Sequence, residues 1–474
     1  MTANPRPLLE QLLDSRDDTD IMVAARELAP RIDLALLSAR LLVDLLDTGS
    51  AARAAAAAFI LGEWAEHARA ASPNLVSALR KNTRHPNVTV RHWCITALMR
   101  LGASAAGAVS ELADSLRDPD DGVRAISAHA LGGLGRLATG AVPKLLIAVF
   151  DDAEEVRQAA IAALVRIDPH GNRYVRELAS GLGSPSSRAR QSAIEALTRM
   201  RTAALPAVQA LCERMHDENA AVRRKTVYAL VCILPPERAL LHTLGVAMHD
   251  TDEDVRMEAL RGFRGFTHAA ADAAPYVMGA LRDSAPRIRF FALEILERMT
   301  PDLGPMIAAV RVAIGHCLHD SSMLVQTRAV QASGRLAQWT HPADPRLLNA
   351  LFESDGALRL AATRALAQMH NDPAALDALR FRLADERADV RAAACRALVE
   401  LGERPSAIIP SLLQALGDSD LEIQREALAI LEVIGADAYD ALDAVAAKRS
   451  DSNLDIRNAA DRASASILRK PEAV

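Results

Sequence analysis

The stretch Asp118-Pro119-Asp120-Asp121-Gly122-Val123-Arg124, running on to Ala130-Leu131-Gly132, decides how the whole chain is read. Its apolar-Arg dyad, Val123-Arg124, belongs to a series. The members are Val90-Arg91, Val123-Arg124, Val156-Arg157, Ala189-Arg190, Val222-Arg223, Val255-Arg256 and Ile288-Arg289, each 33 residues after the last. The series resumes 37 residues on at Val325-Gln326, then runs through Leu358-Arg359, Val390-Arg391, Ile423-Gln424 and Ile456-Arg457 at spacings of 33, 32, 33 and 33. Backwards, Ala52-Arg53 and Ile21-Met22 extend it at spacings of 38 and 31. About fourteen repeats thus cover nearly all 474 residues. A fixed period of this size marks a repeat array and displaces the three domains that length alone suggests.

Each repeat reads as a helix pair. In Val156-Arg157 through Ile167, residues Val156, Ala160, Ile161, Leu164 and Ile167 fall on one helical face, which predicts a buried stripe. The second helix has an N-cap residue three positions before the dyad: Asn87, Asp120, Ser186, Asn219, Asp252, Ser322, Asp355, Asp420 and Asn453. Glycine follows it at Gly102, Gly135, Gly402 and Gly435, where a left-handed residue ends a helix. Proline is expected at or near the start of the first helix at Pro73, Pro143, Pro206, Pro275 and Pro410. Six residues before the dyad Arg stands an acid: Asp47, Asp118, Asp151, Asp217, Asp250, Asp283, Asp320, Glu353, Asp385, Asp418 and Asp451, with His85 and Ser184 as exceptions. An acid ending one helix and an Arg opening the next, repeated along a stack, predicts a ladder of ion pairs that sets its register.

The D-P-D-x-x-V-R pattern of Asp118–Arg124 with the following Ala130-Leu131-Gly132 resembles HEAT repeats, most nearly the short bilin-lyase-like (PBS lyase) variety. No TPLHxA or WxxLGxxY pattern points to ankyrin or tetratricopeptide repeats instead. The resemblance implies an all-α fold, an α-α superhelix of helix pairs forming one solenoid over residues 1–474, used as a binding scaffold with the second helices lining its concave face. Two interruptions break the period. TPDLGP at Thr300–Pro305 suggests a bend, and the longer Ala52–Val90 segment suggests an extended surface loop ending in KNTRHPN. The first repeat (Met22 in place of Arg) and the last, with polar Asp461, Arg462 and Ser464, read as caps with a wetter face.

Composition supports this and narrows function. Aromatics are 3% and apolar residues 50%, which disfavours β-sandwiches and barrels. Lys and Arg number 55 against 60 Asp and Glu, so the net charge of −5 supplies no basic field for nucleic acid. No apolar run is long enough to span a membrane and no signal-peptide pattern opens the sequence, so the expectation is a cytoplasmic protein. The five cysteines stand singly, as buried thiols do.

Enzyme signatures are missing. There is no GxxxxGK[ST], GxSxG, HExxH or dinucleotide fingerprint. The dipeptides His216-Asp217, His249-Asp250 and His319-Asp320 use the ladder acid, and no His-Glu occurs, which argues against a metal-dependent hydrolase or the iron-binding hydroxylase branch of HEAT proteins. His92 and Cys94, two apart on a helix, point away from each other. No cofactor or metal is expected.

Candidate partner contacts lie on the outward stripe of the second helices, two, three, six and ten residues after the dyad's apolar residue. There stand Arg166, Arg199, Arg224, Tyr228, Arg261, Arg298, Arg328, Arg335, Arg364 and Arg396, with Phe290-Phe291 close by. At least one of those two rings is expected in the core. Arg suits bidentate recognition of carboxylate, and aromatics among arginines serve as anchors. A non-enzymatic scaffold holding a protein or acidic peptide is the leading reading. Nucleic-acid binding through the Arg rows and a bilin lyase or isomerase activity by repeat analogy are the alternatives. Glu195, Glu258, Glu294 and Glu400 interrupt the rows and weaken the nucleic-acid reading. Oligomeric state is not encoded in any of these features.

Overall fold

The computed structural model describes residues 15, 17–31, 35–170, 174–266, 268–336, 345–369 and 372–469. Among them the chain is all-α, with no strand, and has an α-α superhelical repeat fold. It divides into two compact units, Met1–Pro235 and Pro236–Val474.

In the first unit the second helices of successive repeats include Val88–Arg100, Asp121–Leu134, Glu154–Ile167, Ser187–Met200 and Ala220–Ile233. In the second unit they are Glu253–Gly262, Pro286–Met299, Met323–Leu336, Gly356–Leu366, Ala388–Glu400, Leu421–Ile434 and Leu454–Ile467. Within each unit, each packs on the second helix of a neighbouring repeat. Small residues let them approach: a Cβ on Gly334 would stand 2.6 Å from the Cα of Ala365. The predicted stripe is buried, with Val156, Ala160, Ile161, Leu164 and Ile167 all at most 2% exposed. Asn87, Asp120, Ser186, Asn219, Asp252, Asp355, Asp420 and Asn453 accept backbone N–H bonds in the helix that each precedes, as the cap rule requires.

The first helices are less regular than expected. Several are one or two α-helical turns entered through a 3-10 run, as in Arg201–Ala207 followed by Val208–Glu213. Pro206 therefore lies inside the 3-10 run, while Pro275 and Pro410 lie inside Ala270–Ala280 and Pro405–Leu416. Of the five, Pro143 sits at the first positions of Val142–Ala148, and Pro73 and Pro206 stand just ahead of Leu75–Asn82 and Val208–Glu213, near the helix start as expected. The extra residues before Val90 extend a helix instead of a loop: Ala51–Ala71 continues past a kink at Ala65, with φ 32° and ψ −108°. Residues 300–305 form two 3-10 turns, Thr300–Asp302 and Gly304–Met306, with Gly304 at φ +49°. In the last repeat Asp461 and Arg462 are exposed, but Ser464 is buried.

The ladder exists and runs between repeats. Arg124 does not pair with the carboxylate of Asp118, six residues back; its Nη1 donates to the backbone carbonyls of Asp118 (2.8 Å) and Pro119 (3.2 Å). Its Nε and Nη2 reach forward and grip Asp151 of the next repeat at 2.8 and 2.9 Å. The same fork joins Arg91 to Asp118, Arg190 to Asp217, Arg256 to Asp283, Arg289 to Asp320 and Arg359 to Asp385. Each acid also accepts the N–H two residues on, as Asp217 does from Asn219 at 3.0 Å. Burial would raise the Asp217 carboxyl, but the Arg190 fork and the Asn219 N–H outweigh it and hold it below the usual carboxylate range.

Candidate functional site

The outward stripe is exposed, as its periodicity requires: Arg166, Arg199, Arg224, Tyr228, Arg261, Arg298, Arg335, Arg364 and Arg396 all face solvent, and Arg328 is partly covered. The structure sorts these residues by what already neutralises them. In the second unit Arg328 lies 2.5 Å from Glu297, and Arg335 pairs with the same carboxylate, whose side chain is 4% exposed. Arg261 pairs with Glu258 at 3.2 Å and Arg396 with Glu426 at 2.8 Å. Arg298 and Arg364 form no ion pair among the described residues, and Arg364 shares a cleft of about 540 Å³ with Arg335, Gln331 and Gln368.

Neither ring of Phe290-Phe291 enters the core. Phe290 is 36% exposed and Phe291 half-buried, because arginines cover them from the neighbouring repeats: Arg264 stands 4.3 Å over the Phe291 ring and Arg328 6.0 Å over that of Phe290. Arg264 is in turn held by Glu294 at 3.0 Å.

The first unit differs. Three second helices, Glu154–Ile167, Ser187–Met200 and Ala220–Ile233, line one cleft of about 770 Å³ that brings together Arg166, Arg199 and Tyr228. Arg166 and Arg199 come from last turns, where a cation suits the helix dipole. Arg199 is aimed by neighbours: its Nη2 donates to Gln158 Oε1 at 2.5 Å, and Gln158 Nε2 donates to Glu195 at 2.6 Å. Lys225 stands 3.7 Å from Glu195. Tyr228 is 52% exposed on the cleft wall. Arg224 is exposed but is not part of this cleft lining.

The sequence pattern also missed a cleft residue. Arg201 lies twelve residues after its dyad's Ala189, the place held by Gly102, Gly135, Gly402 and Gly435 in other repeats, all at positive φ. Its backbone takes φ 49°, ψ −128°, against 53°, −131° at Gly135 and 66°, −134° at Gly435. A non-glycine residue at a glycine register was the signal available.

Burial pushes the Cys317 thiol up to about 11 and the Cys395 thiol up to about 12, and raises Cys94 further, so none is a thiolate near neutral pH. Among the described residues no group of three or more His, Cys, Asp or Glu is placed to hold a metal ion, and no helix is long and apolar enough to cross a membrane.

The family model for HEAT repeats matches residues 38–132, 142–231 and 344–410. The chain belongs to the HEAT-repeat family. No curated protein sequence matches this HEAT-repeat protein. Solved structures share its fold. The crystal structure of Kap121p aligns with TM-score 0.65 and 15% identity over 97% of this chain and 56% of that one. Kap121p bound to RanGTP gives 0.64 and 15% over the same shares. The karyopherin Kap121p bound to the SUMO protease Ulp1p gives 0.63 and 15%, again covering 97% and 56%. This HEAT-repeat protein thus spans just over half the length of those chains.

Proposed function

We propose that this protein is a non-enzymatic, cytoplasmic interaction scaffold that holds a protein or an extended acidic peptide along the face of its second helices. The observation that carries the reading is the convergence of Arg166, Arg199 and Tyr228, from three successive repeats, on one open cleft. Cations and an exposed ring on a rigid stack of helices form a surface suited to a carboxylate-bearing segment, whereas no chemistry-bearing cluster accompanies them. The solved neighbours that carry the fold include Kap121p bound to Ste12p and to Nup53p, which is consistent with the fold serving protein recognition. Glu195, Glu258, Glu294 and Glu297 beside the arginines count against a polyanion laid along the whole face.

Charge reversal tests it. Arg166→Glu, Arg298→Glu and Arg364→Glu together remove cations that no ion pair uses among the described residues, so helicity and Tm stay close to wild type. Affinity capture from the native cell, read by mass spectrometry, should lose the partner. Unchanged capture by the triple variant would refute the reading.

A further inference from the structure

Arg201 occupies a backbone conformation that the fold otherwise gives to glycine. A side chain in that region of φ/ψ is strained, and strain of this kind persists where the side chain does something that glycine cannot. Arg201 does nothing for the fold: it is exposed, and it forms no ion pair or side-chain hydrogen bond among the described residues. It borders the same cleft as Arg166, which is likewise exposed and without an ion pair, and as Arg199 and Lys225, which share Glu195. The ionisable lining is therefore four cations, Arg166, Arg199, Arg201 and Lys225, against two carboxylates, Glu154 and Glu195, an excess of two positive charges.

Elsewhere on the second-helix face, most arginines are neutralised by a neighbouring glutamate, in the extreme case two on the buried Glu297. The surplus is local, so it suits a compact group and not a polymer of evenly spaced charges. A single carboxylate would leave one positive charge over. A phosphomonoester carries about −2 near neutral pH and offers three acceptor oxygens to several guanidinium forks.

We infer that this cleft binds a phosphoserine- or phosphothreonine-bearing segment of the partner, with Arg166 and Arg201 as its primary phosphate contacts and Arg199, held by Gln158, as a preset third. The inference rests on the scaffold reading above and adds the chemistry of what is recognised.

The test uses the full chain and dye-labelled degenerate nonapeptides with a fixed central phosphoserine, serine or glutamate, read by fluorescence anisotropy. The phosphoserine pool should bind at least about tenfold more tightly than either other pool. Arg166→Ala and Arg201→Gly should each remove about tenfold or more, while Arg282→Glu, at an exposed position outside the second-helix face, should not. Arg201→Gly carries a second signature: with the backbone strain relieved, its Tm should rise by about 2–4 °C as its affinity falls. Equal binding of the three pools, no binding of any, equal competition by a single-stranded oligonucleotide, or phosphopeptide affinity indifferent to Arg166→Ala and Arg201→Gly would overturn the inference. The two readings fail separately: partner capture that persists after phosphatase treatment of the lysate keeps the scaffold and rejects the phosphate, whereas capture unchanged in the charge-reversal triple variant rejects the scaffold.

Discussion

Replacing Ser184 with Asp should complete a rung that the first unit lacks. Arg157 already has half of the ladder geometry, since its Nη1 donates to the carbonyls of Asp151 and Asp152 at 2.8 Å each. Ser184 lies 27 residues ahead, the same step that joins Arg91 to Asp118 and Arg124 to Asp151. Its Oγ accepts the Ser186 N–H at 3.2 Å, as each ladder aspartate accepts the N–H two residues on. The variant therefore presents a carboxylate to a preset fork at the edge of the stack. The comparable pair Arg124–Asp151 leaves its side chains 16% and 14% exposed, between a solvated pair worth up to about 1 kcal/mol and a buried charged hydrogen bond worth about 1.5–3. Desolvation of both partners offsets part of that, leaving about 1 kcal/mol, or about 2–4 °C in Tm for a unit of this size. Thermal denaturation of wild type, Ser184→Asp, Arg157→Ala and the double variant gives the coupling. A Ser184→Asp effect that survives intact in the Arg157→Ala background, or a coupling below about 0.3 kcal/mol, would refute the reasoning.

Arg190→Ala leaves Asp217, whose side chain is 2% exposed, without its fork; a loss of about 3–5 kcal/mol in urea denaturation is expected, and much less when Asp217→Leu accompanies it. The ladder carboxylates titrate below the usual range in the folded state (Asp151, Asp217, Asp283, Asp320 and Asp385), so they bind fewer protons folded than unfolded. Their stabilisation is full above about pH 5 and is lost as pH falls through the folded values, below about 4; a flat Tm from pH 6 to 3 would contradict this. Leu164→Asp buries a lone carboxylate at a position 1% exposed and should unfold its repeat and neighbours, seen as a fall in helicity by circular dichroism at 25 °C.

The fold was legible because most repeats restate it: the buried stripe, the cap three positions before the dyad and the ladder acid are local features, each read from one short window. The partners of the ladder arginines were less legible. Arg124 has an acid six residues behind and another 27 ahead, and only the stacking of repeats decides that the backbone of the first and the carboxylate of the second are used. The arginine rows were visible by periodicity, but which arginine is spoken for depends on a neighbour about one repeat away. Glu297 settles Arg328 and Arg335, while Arg166 has no such partner among the described residues. The exact placing of the prolines, deepest for Pro275 and Pro410, has a different cause. The first-turn rule assumes an abrupt helix start, and here a 3-10 run or an earlier α turn precedes Pro206, Pro275 and Pro410.

Because a ladder arginine such as Arg124 clasps the peptide bonds of its own loop with one nitrogen and the acid of the following loop with the other two, the join between neighbours is portable. Deleting the 33 residues Asp118–Phe150 would deliver Asp151 to the spot where Arg91 now meets Asp118. Such an array can be shortened or lengthened in whole modules with its seams intact, and the joins of Arg289 to Asp320 and of Arg359 to Asp385 close across repeats of other lengths as well.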